Sequence, residues 1–297
     1  MLRHRLMLGP LFIGGLLLLI WADSALGRVD LGPLSPWLGI ETLPPGAILA
    51  LFFALLVVGL VDELTRMLRA LAMPARPILS TIGALLVMGL VWIQPPGLPG
   101  GATVGLSLAL VFTLMIAAMI GHAVPRRDPR GSFGAAGGTL LISVYLGVLP
   151  AFWLLLRREE SAWVIAAAML ATKMCDIGAY FTGRAIGRHK LIPWLSPGKT
   201  WEGLAGGLAW AAVAGLLLEA AGRQWLPDAT LGWTAAAVLG AMLGLTGQLG
   251  DLTASALKRD AGVKDSGSLP GFGGLLDVLD SPIMTAPIAW AGWYILS

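Results

Sequence analysis

Apolar residues run along this chain in long blocks, and polar residues collect in the short gaps between them. Runs of roughly 18 or more mostly apolar residues read as helices that cross a bilayer. The pattern predicts an all-α, polytopic integral membrane protein with about nine transmembrane helices. Their approximate limits are 7–22, 46–62, 78–94, 103–121, 135–156, 161–181, 203–222, 232–250 and 282–297. The sixth stands apart because it carries Thr172, Lys173 and Asp176. If the eighth continues as a helix past residue 250, Asp251, Ser255, Lys258 and Arg259 fall on one face. Leu31–Gly46 and residues 95–102 are Pro/Gly-rich connectors. The first block follows a basic start and precedes small residues near Ala25, as a signal peptide would. With so many spans downstream, an uncleaved first span is the expectation.

Composition strengthens the membrane reading. Hydrophobic residues make up 57% of the 297 and charged residues 12%, which leaves too little polar surface for a soluble shell. Forty glycines fit helices packed closely in lipid. A net charge of +3 and a pI near 9.3 do not point to nucleic acid, because the basic residues sit in short loops. There they set topology and meet anionic lipid. Placing the N-terminus inside puts fifteen Lys and Arg on the cytoplasmic side and leaves four outside: Arg28, Arg157, Arg158 and Arg223. The Arg157–Arg158 pair is the misfit. The single cysteine, Cys175, excludes an intramolecular disulfide and reads as a small packing residue.

Charge changes the picture again between Gly250 and Ser281, where eight charged side chains lie between two apolar runs. A carboxylate with two cations on one helix face suits a metal–phosphate complex, since Mg²⁺ favours one or two protein carboxylates plus phosphate oxygens. Asp277 and Asp280 stand three residues apart at the mouth of the last span, and the Gly/Pro-rich link 267–274 lets them meet Asp251. A solvated loop obeying the positive-inside rule would account for Lys258, Arg259 and Lys264, but not for these acids. A second block, 175–207, holds Asp176 and Tyr180 on one helix face, then SPGKTWEG. There Ser196, Lys199 and Thr200 surround a Pro-Gly turn leading into a span, a candidate phosphate seat. Neither GKT nor GFGGLLD has the spacing of a soluble nucleotide-binding loop. His4, His122 and His189 give no zinc spacing, and no nucleophile elbow appears. Carboxylates, cations and hydroxyls fit metal-assisted phosphoryl or nucleotidyl transfer. Upstream, Asp62 and Glu63 lie near Arg66 in LVDELTRM and read as a helix-end ion pair. The expected organisation is an N-terminal set of helices over 1–134 and a catalytic half over 135–297 with cytoplasmic polar loops.

The stretch GDLTASALKRDAGVKDSG, continued by LPGFGGLLDVLDS, resembles the signature of the phosphatidate cytidylyltransferases, the CDP-diacylglycerol synthases. That signature is roughly S-x-x-K-R-x4-K-D-x-G followed by P-G-H-G-G-x-x-D-R-x-D. Ser255, Lys258, Arg259, Lys264, Asp265, Pro270, Gly271, Gly273, Gly274, Asp277 and Asp280 match it. The block D-x-x-A-Y-x-x-G-R with S-P-G-K-T-W-E-G is similar to that family too. The departures are Phe272 for the family's His, Val278 for its Arg, Ala254 for its usual Glu, and a link one residue shorter.

The resemblance implies a divergent member that transfers CMP from CTP to phosphatidic acid, giving CDP-diacylglycerol and pyrophosphate. It implies Mg²⁺ dependence, with Asp251 and Asp277 holding the cation, Asp280 beside them, and a second cation as a variant. Lys258, Arg259, Lys264 and Lys199 would neutralise phosphates, and Ser196, Thr200, Ser255, Asp265 and Asp176 would position substrates. The candidate partners are CTP, phosphatidic acid, membrane lipid and a second copy of the chain. The expected location is the bacterial inner membrane, with the site facing the cytoplasm. The alternatives are CTP-dependent transfer to another lipid phosphate, a member that keeps only lipid binding, and a secondary transporter. A transporter should place its polar groups near the midplane in corresponding positions of two repeats.

Overall fold

A computed structural model describes residues 14–15, 17–27, 29, 32, 42–93, 100–226, 230–267 and 273–297. The chain is a helical bundle in the order α1 (Leu17–Leu26), α2 (Ala47–Ala70), α3 (Pro77–Ile93), α4 (Gly100–Arg126), α5 (Ser132–Ser143) and α6 (Leu149–Glu159). After these come α7 (Ala162–Ile186), a hairpin of β1 (Lys190–Ile192) and β2 (Ser196–Thr200), α8 (Trp201–Trp225), α9 (Trp233–Asp260) and α10 (Leu275–Leu296). A π-helical turn, Val144–Val148, joins α5 to α6. Pro150 follows it and has no N–H for a regular helical bond, so the wider turn falls where the α-ladder is interrupted.

The second half forms a tight helical group. Helix α8 packs on α7 and α9, and α9 packs in turn on α10. Small residues allow the close approach. A Cβ at Gly207 would meet the Cys175 carbonyl at 2.8 Å, and one at Gly244 would meet Cys175 at 3.0 Å. Cys175 is fully buried where α7, α8 and α9 converge, in the packing role expected of it. Helix α10 also leans on α6, and the Trp153 indole N–H donates to the Pro282 carbonyl at 2.9 Å. That carbonyl also accepts from the Thr285 hydroxyl at 3.2 Å, in a helix where Pro282 and Pro287 each lack a backbone donor.

Six of the described helices are long and apolar enough to cross a membrane, and Leu17–Leu26 and Pro77–Ile93 are shorter apolar helices. The chain is therefore an all-α membrane protein, but the expected count of nine spans is not supported among the described residues. Much of the expected first span lies outside them. The third ends as a helix of 17 residues, and α10 is diluted by Asp277, Asp280, Pro282 and Pro287. Helix α9 does run on past residue 250, to Asp260, as the polar face required.

The Arg157–Arg158 misfit has a structural explanation. Arg157 Nε pairs with Asp23 at 2.5 Å, with side-chain exposures of 11% and 1%. The same carboxylate accepts backbone N–H groups of Gly46, Ile48 and Leu49 at the start of α2. Arg158 donates to the Trp92 carbonyl at 3.4 Å. Arg157 thus neutralises a buried acid and both arginines tie helix ends together, so the pair has a structural role in the folded bundle.

Candidate active site

Two tiers of paired charges lie along α7, α9 and α10. In the deeper tier, Lys173 on α7 meets Asp176 one turn later at 3.4 Å. Asp176 Oδ1 accepts the Gln248 amide N–H at 2.9 Å from α9. The Gln248 backbone carbonyl accepts from Lys199 Nζ at 3.4 Å, and Lys199 Nζ pairs with Asp251 Oδ2 at 2.6 Å. A continuous chain of polar contacts thus runs Lys173–Asp176–Gln248–Lys199–Asp251. Asp280 on α10 is buried, and among the described residues its Oδ1 accepts only from the Ser281 N–H and hydroxyl. Asp251 stands within electrostatic reach of both Asp176 and Asp280. At about 1.5 Å per residue, Asp176 lies about 15 Å below the Ile186 end of α7, so this tier is recessed.

The shallower tier is built around Asp277. Its Oδ1 pairs with Lys258 Nζ, whose side chain is 10% exposed. Its Oδ2 accepts the Ser266 N–H at 2.9 Å, the Ser266 hydroxyl at 3.0 Å and the Gly274 N–H at 2.8 Å. Asp277 is the third residue of α10 and reaches back to the residue before the helix, satisfying donors that a helix start leaves open. Glu63 on α2 completes the arrangement. It is buried and accepts the Leu275 N–H at 2.8 Å and the Leu276 N–H at 3.0 Å, and at 2.8 Å it shares the single Ser266 hydroxyl proton with Asp277. Two carboxylates therefore clamp the loop 264–267 onto the start of α10. A Cβ on Gly274 would stand 2.6 Å from Glu63 Oε2, so no larger residue fits there without displacing the clamp.

The hairpin delivers Lys199. It pairs Lys190 with Thr200 and Ile192 with Ser196, so SPGKT is a strand and the turn falls earlier, at residues 193–195. This corrects the expected Pro-Gly turn; the KLI segment offered a pairing partner that a local reading of the glycine did not weigh. Glu202 holds the hairpin base by accepting the Arg188 and His189 N–H groups at 3.1 and 3.2 Å. Thr200 caps α8, its hydroxyl accepting the Gly203 N–H at 3.1 Å. The Thr200 side chain is thus used within the fold, while Ser196 is half-buried beside it.

Other expected site residues lie further out. Arg259 is exposed and bonds the Val263 carbonyl at 3.3 Å, pointing away from the buried Lys258. Lys264 and Asp265 are exposed, and Ser255 is half-buried on α9. Tyr180 is exposed and accepts from Arg184 at 3.0 Å. Phe272, Pro270 and Gly271 lie outside the described residues. Glu63 was expected beside Arg66, but Arg66 pairs with Asp62 at 3.2 Å in an exposed contact and Glu63 turns inward. Nothing local distinguishes the two acids. Gln248 was missed although it carried a signal, an amide inside an apolar run three residues before Asp251.

Below the polar floor lies a cavity of ≈ 1240 Å³. Its walls are apolar residues of α1, α2 and α6–α10, and among the described residues its only charged lining groups are Lys173, Asp176 and Glu219. Glu219 is already engaged by Arg223 and by the Leu231 and Gly232 N–H groups. Val278, at the position where the signature carries Arg, lines this cavity.

The model of the cytidylyltransferase family matches residues 37–296. The chain belongs to the cytidylyltransferase family. It is similar to the phosphatidate cytidylyltransferase of Staphylococcus saprophyticus, 34% identical over 83% of this chain and 90% of the relative. It is similar to that of Mycobacterium leprae, 32% identical over 77% of this chain and 74% of the relative. It also resembles the uncharacterized protein YnbB of Escherichia coli, 43% identical over 46% of each chain, so this match spans less than half of that protein.

For a cytidylyltransferase that handles phosphates, the acids can be tested as holders of a hard cation. Among the described residues no three acidic, His or Cys side chains gather as a metal cluster. Asp277 already meets Lys258, Ser266 and Gly274. Asp251 and Asp280 each keep an oxygen that takes no hydrogen bond from a described residue. Two such carboxylates fit the way Mg²⁺ binds, with phosphate and water completing the shell.

Proposed function

We propose that this cytidylyltransferase is a phosphatidate cytidylyltransferase, transferring CMP from CTP to phosphatidic acid to form CDP-diacylglycerol and pyrophosphate. The observation that carries this reading is the juxtaposition of Lys199–Asp251 and Lys258–Asp277 with a large apolar cavity directly beneath. Cations suit the triphosphate, and the cavity suits the lipid. The two matches to phosphatidate cytidylyltransferases over most of the chain support the same activity.

In the proposed reaction, a phosphate oxygen of the lipid forms a bond to the α-phosphorus of CTP. The bond from that phosphorus to the bridging oxygen breaks, and the electron pair leaves with pyrophosphate. The lipid phosphate is already anionic, so no strong base is needed. The barrier is the meeting of two anions, and Lys199 and Lys258 lower it by neutralising phosphate oxygens as charge moves to the leaving group. Each lysine is held in place by its aspartate, so little reorganisation accompanies the reaction. Lys264 and Arg259, on the exposed loop, meet the nucleotide as it arrives from water, and Ser196 and Ser255 line its seat. Asp251 and Asp280 would hold Mg²⁺ while Asp277 anchors Lys258 beside them, and the ion would supply further charge neutralisation at the phosphates. The site opens to the cytoplasm of an inner membrane, in keeping with the basic residues around it.

The test is product identification. Purified protein with Mg²⁺ and CTP is offered phosphatidic acid, a prenyl phosphate and phosphatidylglycerol phosphate in parallel. A CDP-linked lipid formed fastest from phosphatidic acid supports the reading; a product only from another lipid phosphate, or none from any, rejects it.

A further inference from the structure

The reaction needs two phosphates held apart and then brought together, and the structure offers cations at two distinct places. Lys258 joins the loop 264–267 through Asp277, and Lys199 reaches Asp251 from the hairpin. Lys173 sits within α7, lines the apolar cavity, and keeps 44% of its side chain exposed despite its bond to Asp176. Among the described residues it is the only cation lining that cavity. A cation placed within a membrane helix is costly, so it calls for a partner. Asp176 is one, but it also serves the Gln248 amide. A lysine ammonium carries three donors, and the structure gives Lys173 one acceptor.

Below Lys173 the cavity follows α7 back to Trp163. Residues 163–173 span about 15 Å of helix, the same as about 15 Å for half of a bilayer hydrocarbon core. The walls along this path include Met169 and Leu170 as well as Val164, Ala167, Ala168 and Ala171, and the alanines leave room for chains beside the helix. Shape and charge together describe one occupant: an amphiphile with long apolar chains and an anionic head.

We propose that Lys173 holds the phosphate of the acceptor lipid, whose acyl chains fill this cavity. Asp176 and Gln248 then form a spacer, joining the lipid-holding lysine to the nucleotide-holding Lys199–Asp251 pair through contacts of 3.4, 2.9, 3.4 and 2.6 Å. Lys173 is thus a specificity residue that selects a lipid phosphate as acceptor. This inference rests on the reading of the site as one for lipid-phosphate acceptors.

The experiment compares wild type, Lys173→Met and Lys173→Arg as purified full chains. Two readouts are taken: steady-state kinetics with each substrate varied in turn, and thermal stabilisation by phosphatidic acid relative to phosphatidylcholine in mixed micelles without CTP. Losing a charge-assisted contact to the lipid should raise KM for phosphatidic acid about tenfold or more in Lys173→Met. KM for CTP should stay within about twofold, and the phosphatidic acid-selective stabilisation should disappear. Lys173→Arg should recover both. Ala167→Trp, which blocks the cavity without touching charge, should raise KM for the lipid alone, and it serves if Lys173→Met fails to fold. An unchanged lipid KM in Lys173→Met and in Ala167→Trp overturns the inference while leaving the activity standing. If wild type forms no product yet is selectively stabilised by phosphatidic acid through Lys173, the proposed activity falls and the lipid seat stands. No selective stabilisation and no lipid-KM effect overturns the seat.

Discussion

Lys258 and Asp277 face each other with side-chain exposures of 10% and 12%, whereas Arg66 and Asp62 pair at 58% and 70%. The same kind of contact has very different consequences at the two places. An exposed pair contributes about 0.5 kcal/mol or less, so Arg66→Ala should leave the unfolding midpoint in detergent nearly unchanged. Removing one partner of a buried pair strands the other, and Asp277→Ala should cost about 3 kcal/mol, read as a clear drop in that midpoint. Glu63→Ala strands two helix-start N–H groups, and should cost about 2 kcal/mol. If Glu63→Ala were as stable as wild type, the clamp on α10 would be refuted. Asp251 is different again. It is partly exposed and makes one ion pair, with Lys199. Asp251→Asn should therefore fold normally and lose about 10²-fold or more in turnover. Near-normal turnover in a well-folded Asp251→Asn would remove it from the site.

At the scale of elements, the central device is the closure of the loop 264–267 on the start of α10. Gly267 and Gly274 face each other so closely that a Cβ on Gly267 would lie 2.9 Å from the Gly274 Cα. Gly274→Ala should separate the strands of this clamp, lowering turnover about tenfold while the bundle stays folded; full activity would show that the loop has slack. The sequence carried some of this and hid the rest. Continuation of α9 to Asp260 was legible, because Asp251, Ser255 and Lys258 fall at helical spacing. The Gly/Pro-rich link was expected to bring Asp277 and Asp280 to Asp251; Asp280 does come within electrostatic reach of it, whereas Asp277 pairs with Lys258. The hairpin was not legible: its three-residue strand is too short for a periodic signal, and SPGKT carries the residues of a turn. Glu63 escaped for another reason. It lies 212 residues from Leu275, to which it bonds, and no local pattern reports a contact at that distance along the chain.

Across the whole molecule, that contact ties α2 to α10, and α3 packs on α6, so the described N-terminal helices are more than a membrane anchor. Helix α2 walls the cavity with Phe53, Val57 and Leu60 and supplies Glu63 to the loop above it. The proposed cytoplasmic opening rests on the basic residues near the loop side. Cys175 is buried, so a Lys264→Cys variant provides a single accessible thiol. It should react with a membrane-impermeant maleimide in inside-out vesicles and stay unlabelled in intact spheroplasts; the reverse pattern would invert the orientation. The central claim is that the α-phosphorus of CTP moves to a lipid phosphate above this cavity. Parallel reactions of the purified protein with phosphatidic acid and either α-labelled or γ-labelled CTP test it most directly. The account predicts that α-label enters the lipid and γ-label leaves in pyrophosphate. Label from the γ position in the lipid, or no labelled lipid from either, would contradict it.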